Sequence, residues 1–339
     1  MTAYWRPIPM TDPARPPGAL PLAGGWCWFD RVERLGRADP PELVPLSEVP
    51  PDALDRLTAP RAPIAGLAWD APRIMGILNV TPDSFSDGGL FDAPDSALAQ
   101  ARAMEAQGAD LLDLGGESTR PGAREVPAEE EAARVVPVLR ALAPGPLPLS
   151  VDTRKAAVAQ AALDAGARIV NDVSAFAFDP AMPAVAARAE GVCLMHAQGT
   201  PETMQADPRY DDVLLDVYDQ LEERLRRAEA HGIPRSRVLV DPGLGFGKTL
   251  QHNVTLLSRL SLYHGLGCAM LLGASRKGFI GALGGARDAR DRMPGSVAVA
   301  LHAARQGMQV LRVHDVGETR QALSLLMAVT RSGQGRRPE

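Results

Sequence analysis

Polar or ionisable residues end a series of short apolar, β-branched segments between residues 73 and 316. A single Asp after a strand is commonly a helix cap or a turn former, so any one of these endings could be structural. Eight such endings in succession are hard to explain as capping alone, and they predict a shared site. The terminal residues are Asn79, Asp113, Asp152, Asn171 with Asp172, His196, Asp241, Ser275 through Lys277, and Arg312 with His314.

Three of these side chains suit the edge of a planar heterocycle. The carboxylates of Asp152 and Asp241 accept N–H donors, and the amide of Asn171 both donates and accepts. Two further groups suit an anion. Residues 275–278 could offer backbone N–H groups and two cations, while Arg312 and His314 lie on the same side of an extended chain. We therefore predict a neutral or weakly basic ring bound beside an anion that Arg, His and a metal ion hold.

Two other chemistries do not fit the same residues. The glycine-rich loop at 241–248 is not a P-loop, because the first glycine of that motif falls on Pro242, and the G-x-G-x-x-G spacing also fails. A Schiff base on Lys277 would make a class I aldolase. That lysine lies beside Arg276, past the strand end, in no evidently desolvated position.

The elements that must position these residues alternate between strand and helix. This rhythm, eight times in about 260 residues, predicts an α/β protein with a (β/α)₈ TIM barrel, whose chemistry lies at the carboxyl ends of its strands. An open doubly wound sheet would carry a glycine-rich turn after the first strand, where this chain has Asn79 to Pro82. The predicted strands are 73–79, 110–114, 148–152, 168–172, 192–196, 237–241, 268–273 and 309–313; the predicted helices are 96–107, 128–142, 155–165, 182–189, 211–231, 249–260, 296–305 and a last one after Val316.

Residues 1–70 form a Pro-rich N-terminal extension, with 13 of the 30 prolines. We predict little regular structure there, because proline interrupts helices and strand ladders. Trp5, Trp26, Trp28 and Phe29 predict that part of the extension packs against the main domain. Three roles stay open for the extension: it caps the bottom of the barrel, it forms a contact between subunits, or it has no role. Residues 71–332 are the barrel domain, and 333–339 are a polar tail.

Composition excludes several classes of function. The 339 residues are 45% apolar and 23% charged, with a net charge of −5 and no apolar run long enough to span a membrane. No cluster of basic residues predicts a nucleic-acid partner. Cys27, Cys193 and Cys268 are odd in number and far apart, and the first ten residues carry no apolar leader. These features predict a cytoplasmic protein.

Some of the strand-end residues keep a structural interpretation. His196 is either a hydrogen-bonded structural histidine or a wall of the pocket. Asp172 would point away from Asn171 and cap the next turn. Asp113 would orient Asn79 or Arg312, or only close its turn.

Eight long motifs in this chain resemble the dihydropteroate synthase family, over roughly Arg73 to Leu326. The motifs are ILNVTPDSFSDGG (77–89), LDLGGESTRPGA (112–123), SVDTRK (150–155), IVNDVS (169–174), LMHAQGTPETMQ (194–205), VDPGLGFGK (240–248), GASRKGFIG (273–281) and LRVHDV (311–316). The resemblance implies a transferase of folate biosynthesis on a TIM barrel. Its substrates would be 6-hydroxymethyl-7,8-dihydropterin diphosphate and para-aminobenzoate, with Mg²⁺ present and a homodimer as the assembly.

Matching positions then take the family's roles. Asn79 would meet Mg²⁺ on the diphosphate, and the catalytic residues would be Asp113, Arg120, Lys277, Arg312 and His314. The resemblance further assigns Asp152, Asn171, Asp241 and Lys277 to the pterin edge, Met195 and Phe246 to its ring, Arg120, Arg312 and His314 to the diphosphate, Phe85, Thr119 and Pro121 to the aminobenzoate pocket, Asp83 to the same closing loop, and Ser275 to the aminobenzoate carboxylate.

Two alternatives remain. A methyltetrahydrofolate-corrinoid methyltransferase uses a similar pterin-binding barrel but needs no diphosphate site. A catalytically silent relative would bind a pterin without turnover. Asn79, Lys277, Arg312 and His314 are all present, and their presence favours the synthase over both.

Overall fold

Eight parallel strands form a closed barrel in the computed structural model, which describes residues 3–81, 93–118, 123–200 and 203–332. The last strand pairs with the first, with Leu311 opposite Ile74, and this pairing closes the barrel. The (β/α)₈ prediction is confirmed, with every strand within one residue of its expected bounds. The barrel strands are β6 (Arg73–Asn79), β7 (Leu111–Gly115), β8 (Leu149–Asp152), β9 (Ile169–Asp172), β10 (Gly191–Met195), β11 (Val238–Asp241), β12 (Ala269–Gly273) and β13 (Val310–Val313).

Helices surround the barrel and bury one apolar face each. The predicted helix 249–260 ends early, and a 3-10 helix at Leu260–Leu266 follows it and stops at Gly267, whose φ of 75° suits glycine. A short helix begins directly after Lys277, where the family resemblance implies a helix start, although the alternation of segments by itself did not mark one there. The helices are α2 (Ala93–Ala106), α3 (Ala128–Leu142), α4 (Ala156–Asp164), α5 (Met182–Ala186), α6 (Val213–Ala230), α7 (Leu250–Ser258), α8 (Gly278–Gly284), α9 (Met293–Arg305) and α10 (Val316–Arg331).

The N-terminal extension contains more regular structure than the sequence predicted. Strands β1 (Tyr4–Pro7), β4 (Arg31–Leu35) and β5 (Glu42–Pro45) form an antiparallel sheet, β2 (Leu20–Pro21) pairs with β3 (Trp28–Phe29), and α1 covers Pro51–Thr58. The expectation of little regular structure is wrong because the prolines occupy tolerated positions. Pro7 and Pro45 end their strands, and Pro51 is the first residue of its helix.

The extension packs against the barrel, as its tryptophans predicted. Trp26 Nε1 donates to the carbonyl of Ala304 on α9 over 2.8 Å, and the Tyr4 hydroxyl donates to Asp219 on α6. Residues 64–69 close the bottom of the barrel, where Ile64 and Trp69 join the core formed by the inward side chains of the strands. A Cβ on Gly191 would lie 2.3 Å from Ile64 Cγ2, so this plug requires glycine at the start of β10.

All three cysteines are buried and free, and the two that the sequence placed inside strands lie in the core. Across the described residues we find no helix whose length and apolar character would let it cross a membrane. Ile64 and Trp69 fill the bottom of the barrel, and the strand-end residues lie at its opposite end.

Candidate active site

Arg312 joins two carboxylates at the carboxyl end of the barrel. Its Nε donates to Asp113 Oδ2 over 2.6 Å, and its Nη2 donates to Asp152 Oδ2 over 2.7 Å. Burial acts to lower the pKa of Arg312, but the two carboxylates outweigh it and raise that pKa. The arginine side chain keeps 19% of its surface exposed.

Asp113 lies beneath Arg312 and is completely buried. It also accepts a hydrogen bond from Asn171 Nδ2 over 3.0 Å. Of the two options in the sequence, Asp113 therefore orients Arg312, and it fixes the Asn171 amide as well. Because Asn171 donates inward through its nitrogen, its oxygen is directed elsewhere.

Asp152 offers a buried acceptor to a ligand. Its Oδ1 and that of Asp113 receive no hydrogen bond from any described residue, although both atoms are shielded from solvent. Burial raises the pKa of Asp152 to about 7; Arg312 opposes this rise and the charge of Asp113 adds to it. Buried polar atoms in native proteins are nearly always paired, so the Oδ1 atom of Asp152, at the carboxyl end of its strand, is a candidate acceptor for the N–H groups of a ligand.

Asp241 and Lys277 form the opposite wall. Asp241 accepts from the backbone of Gly243 over 2.7 Å and of Gly273 over 3.3 Å, and burial raises its pKa while Lys277 lowers it. The ammonium of Lys277 donates to the carbonyl of Leu244 and lies 4.3 Å from the centre of the Phe246 ring. Burial lowers the pKa of Lys277 to about 8.

Met195 joins this wall from the neighbouring strand. It ends β10 directly opposite Asp241 in the strand register, and it is buried. Carboxylate, ammonium, thioether and aromatic side chains thus lie on neighbouring strand ends and on the loop after β11.

The predicted anion site at 275–278 differs in one respect. Ser275 Oγ lies 3.0 Å from His314 Nδ1 and accepts from the His314 backbone, so the two predicted anion groups touch each other here. The guanidinium of Arg276 instead binds Asp315, and Lys277 turns toward the loop after β11. The segment therefore does not present two cations side by side, because each has a nearer partner.

Asn79 lies beside the ring site. Its side chain is half-buried. A Cβ on Gly115 would lie 3.8 Å from Asn79 Oδ1 and 3.9 Å from Asp152 Oδ2, so the glycine separates these two side chains. Five predicted site residues lie outside the described part of the chain, as does the tail at 333–339. Those residues are Asp83, Phe85, Thr119, Arg120 and Pro121.

The structure also decides the roles of His196 and Asp172, which the sequence left open. His196 is a structural histidine, buried between Gln220, 3.1 Å from its Nε2, and Lys248, 2.9 Å from its Nδ1. Asp172 accepts from the backbone N–H groups of Ser174 and Phe176, so it caps the turn after β9.

Sequence reasoning missed a buried charge network next to the site. Lys155 Nζ lies 2.6 Å from Glu131 Oε2 and 2.9 Å from Glu117 Oε2, and Arg154 binds Glu117 over 3.2 and 3.3 Å. Burial raises the pKa of Glu131, whereas for Glu117 the opposing effect of Arg154 and Lys155 prevails and lowers its pKa. Charges inside the motifs GGESTRPG and SVDTRK were the available signal.

We expect Lys155→Met to lower the free energy of unfolding by about 3–5 kcal/mol, because it leaves two buried carboxylates short of a counter-ion. Urea denaturation at neutral pH measures this loss. The control is Arg188→Met. Arg188 and its partner Asp164 are both about half exposed, so this substitution should lower the free energy of unfolding by less than about 1 kcal/mol. Equal losses in the two variants would contradict a network that depends on burial.

We expect kcat/KM for the ring substrate to follow a bell-shaped pH profile with limbs near pH 7 and pH 8. Below the first, Asp152 takes up a proton and loses acceptor capacity; above the second, Lys277 loses its charge. Initial rates between about pH 5 and about pH 10 at constant ionic strength measure the profile. Asp152→Asn should remove the acid limb alone. A wild-type rate that stays flat below pH 7 would disagree with the assignment.

Fold and site together define a pterin-binding barrel enzyme, and comparison with known proteins agrees. The sequence pattern of the family described as pterin binding enzyme matches residues 75–314. Dihydropteroate synthase of Escherichia coli is 45% identical over 269 residues, which are 79% of this chain and 95% of that protein. The enzyme of Neisseria meningitidis serogroup C is 48% identical over 261 residues, 76% of this chain and 92% of that protein.

Solved structures give the same result. Dihydropteroate synthase of Xanthomonas albilineans with 4-aminobenzoic acid has a TM-score of 0.75 and 48% identity, covering 83% of this chain and all of that one. The same organism's enzyme in complex with 7,8-dihydropteroate has a TM-score of 0.72 and 44% identity, covering 82% of this chain and all of that one. The chain belongs to the dihydropteroate synthase family, the transferases of folate biosynthesis.

Proposed function

We propose that this chain condenses 6-hydroxymethyl-7,8-dihydropterin diphosphate with para-aminobenzoate, giving 7,8-dihydropteroate and pyrophosphate. The observation that carries the proposal is the buried Oδ1 atom of Asp152, which has no hydrogen-bond partner among the described residues and whose carboxylate acts electrostatically on Lys277. The family relatives that hold 4-aminobenzoic acid and 7,8-dihydropteroate support the same substrates.

The ring is held at its edge and on its face. Asp152 and Asp241 accept N–H donors from the pterin, and the Asn171 oxygen, left free by the bond of its nitrogen to Asp113, accepts another. Met195 and Phe246 contact the ring faces. The ammonium of Lys277, placed over Phe246, donates to a ring acceptor.

Positive groups take up the diphosphate. Arg312 keeps its charge at every accessible pH because two carboxylates stabilise it, and its side chain keeps part of its surface exposed. His314, in contact with Ser275, adds a second donor from the same strand end. Arg120, outside the described residues, stays a predicted third contributor, and Ser275 stays our candidate for the aminobenzoate carboxylate.

We also propose that Mg²⁺ assists, with Asn79 as its protein ligand. The described residues contain no cluster of three or more His, Cys, Asp or Glu that could hold a metal by itself. That composition fits Mg²⁺, which is commonly held by one or two protein oxygens together with substrate phosphates. The ion would neutralise charge on the leaving diphosphate. Turnover that survives removal of Mg²⁺ by a chelator would contradict this part.

The side chains then account for the chemistry. Departure of the diphosphate from the carbon attached to an electron-rich pterin leaves a delocalised cation, which the nearby carboxylates of Asp152 and Asp241 stabilise. Arg312 and His314 stabilise the departing anion. Phe85, Thr119 and Pro121, which stay predictions, would position aminobenzoate and exclude the water that otherwise captures the cation.

The test is pyrophosphate release from the pterin diphosphate, measured with and without para-aminobenzoate, with the product identified by mass spectrometry. Release that depends on aminobenzoate and gives dihydropteroate is the expected result. Binding of the pterin without turnover would favour a silent relative. Methyl transfer from methyltetrahydrofolate to a corrinoid would favour the methyltransferase.

We propose a cytoplasmic homodimer as the working form. The buried free thiols of all three cysteines suit a reducing compartment. On α10, Leu325 and Val329 lie one turn apart and are 66% and 69% exposed, which suits contact with a second copy. Sedimentation analysis of the purified chain measures its mass, and a monomer at micromolar concentration would contradict the dimer.

A further inference from the structure

Lysine is rare in this chain. Of its 36 lysine and arginine residues, only Lys155, Lys248 and Lys277 are lysines. They follow the barrel strands β8, β11 and β12, and the first two are only 5% and 3% exposed. Lysine is thus kept only where a compact ammonium group is enclosed at the mouth of the barrel, and arginine serves at every other cationic position.

Lys248 is the one of the three that has neither a hydrogen-bonded carboxylate nor a part in the proposed reaction. Lys155 binds Glu117 and Glu131, and Lys277 faces the proposed pterin site. Lys248 Nζ instead has four acceptors, none of them a carboxylate. They are Gly243 O at 2.8 Å, His196 Nδ1 at 2.9 Å, Phe246 O at 3.0 Å and His196 O at 3.3 Å. Burial lowers the pKa of Lys248 well below its usual value, and these acceptors favour the ammonium form against that effect.

His196 is held in one tautomer by this arrangement. Because a lysine ammonium can only donate, we assign Nδ1, 2.9 Å from Lys248 Nζ, as the acceptor and place the proton on Nε2, 3.1 Å from Gln220 Oε1. Burial, reinforced by the charge of Lys248, lowers the pKa of His196 well below its usual value. The imidazole therefore stays a neutral acceptor that anchors Lys248 to the end of β10.

The turn that encloses Lys248 carries several groups that face the ring site. Its Gly243 N–H binds Asp241, its Leu244 carbonyl binds Lys277, and its Phe246 ring lies under the Lys277 ammonium. The turn also packs tightly, since a Cβ on Gly243 would lie 1.9 Å from His196 O. Removing the ammonium would leave the carbonyls of Gly243 and Phe246 without this donor inside the turn, and the turn would have to rearrange.

We propose that Lys248, anchored by His196, is a positioning residue for pterin recognition. Its ammonium holds the 242–247 turn from the inside and thereby places Asp241, Phe246 and Lys277 around the ring. This inference rests on the proposed function for the identity of the ligand, and it adds two residues that touch no substrate.

The test compares Lys248→Met with Lys155→Met in the full chain. We expect the first to raise the Kd of the pterin diphosphate about tenfold to a hundredfold, since hydrogen bonds to charged groups contribute about 1.5–3 kcal/mol. KM for para-aminobenzoate should change less than about threefold. Lys155→Met removes an equally buried ammonium and should lower stability while leaving the pterin Kd within about threefold of wild type.

A second pair of variants covers the case in which Lys248→Met does not fold. His196→Leu removes the acceptor at Nδ1, whereas His196→Asn keeps an acceptor oxygen at the δ position. We expect the pterin Kd to rise about tenfold with leucine and to return to within about threefold of wild type with asparagine. If His196 only stabilised the fold, recovery of pterin binding with asparagine but not with leucine would not be expected.

The outcomes separate this inference from the proposed function. If the wild-type chain makes no dihydropteroate, the proposed function fails. If the wild-type chain is active but Lys248→Met and Lys155→Met weaken pterin binding equally, or His196→Leu binds as well as His196→Asn, the positioning role of Lys248 is overturned.

Discussion

Arg312→Met should reduce kcat/KM for the pterin diphosphate by about a thousandfold or more. Loss of one preorganised donor to developing charge costs about 10²–10³ in kcat, and this change also removes the counter-ion of two buried carboxylates. Without the guanidinium, Asp113 and Asp152 repel each other, so the pKa of Asp152 rises further above its value of about 7. Asp152 is then protonated at neutral pH and accepts ring N–H groups less well. Steady-state rates with both substrates varied measure the effect.

The matched control for this prediction is Arg320→Met. Arg320 also binds half-buried partners, the carbonyl of Gly108 and the carboxylate of Asp110, but at the opposite end of the barrel. We expect it to lower stability and to leave kcat/KM within about twofold of wild type. Arg312→Lys keeps the charge, but it cannot bridge two carboxylates and should recover only part of the rate. An Arg312→Met rate within tenfold of wild type would rule out its role at the diphosphate.

Asp241→Asn should raise the Kd of the pterin diphosphate by about 30-fold to about 3,000-fold. Truncation of one partner in a buried, charged hydrogen-bond pair costs about 2–5 kcal/mol, and the asparagine turns one acceptor oxygen into a donor that faces ring N–H groups. The Lys277 ammonium also loses its nearest site carboxylate, so its pKa falls below about 8. Calorimetric titration of the pterin diphosphate without aminobenzoate measures the change.

Asp172→Asn is the control for that substitution. Asp172 is buried at the end of β9 just as Asp241 is at the end of β11, but its carboxylate caps a turn through Ser174 and Phe176. We expect Asp172→Asn to lower the free energy of unfolding by about 1–2 kcal/mol and to leave the pterin Kd unchanged. If Asp172→Asn weakened pterin binding as much as Asp241→Asn, the site assignment would be wrong.

The positions of the barrel strands could be predicted from the sequence because the signal is local. Each strand is a short apolar, β-branched segment that ends in a polar residue, and the alternation with helical segments leaves few architectures. The barrel rule then places all the strand ends at one mouth. Residues such as Asp152, Asn171 and Asp241 could be named as site candidates for this reason before any contact was known.

Partners within the site could not be predicted in the same way. Arg312 and Asp113 are 199 residues apart, and Arg312 and Asp152 are 160 apart, so no local pattern links them. For Arg276 the local pattern was misleading. Its neighbours suggested an anion site, while the fold places Asp315, 39 residues further on, beside its guanidinium.

The N-terminal extension shows the limit of composition as evidence. Proline content predicted little regular structure, yet Pro7, Pro45 and Pro51 occupy strand ends and a helix start, where a backbone N–H is not needed. That the extension plugs the barrel bottom with Ile64 and Trp69 depends on contacts with strands far along the chain. The tryptophans indicated packing but not where it would occur.

The sequence by itself thus determined the barrel, the end of the barrel that holds the chemistry, and the residue types available there, because periodicity and strand ends are local properties. Only the tertiary structure decided which charged side chains are paired and how far the pKa of each is shifted. Asp152 and Lys277 acquire pKa values of about 7 and about 8 through burial among distant neighbours. Lys248 is enclosed by a turn and a histidine from another strand. Such properties arise from desolvation and from distances across the barrel, which depend on the packing of the whole chain.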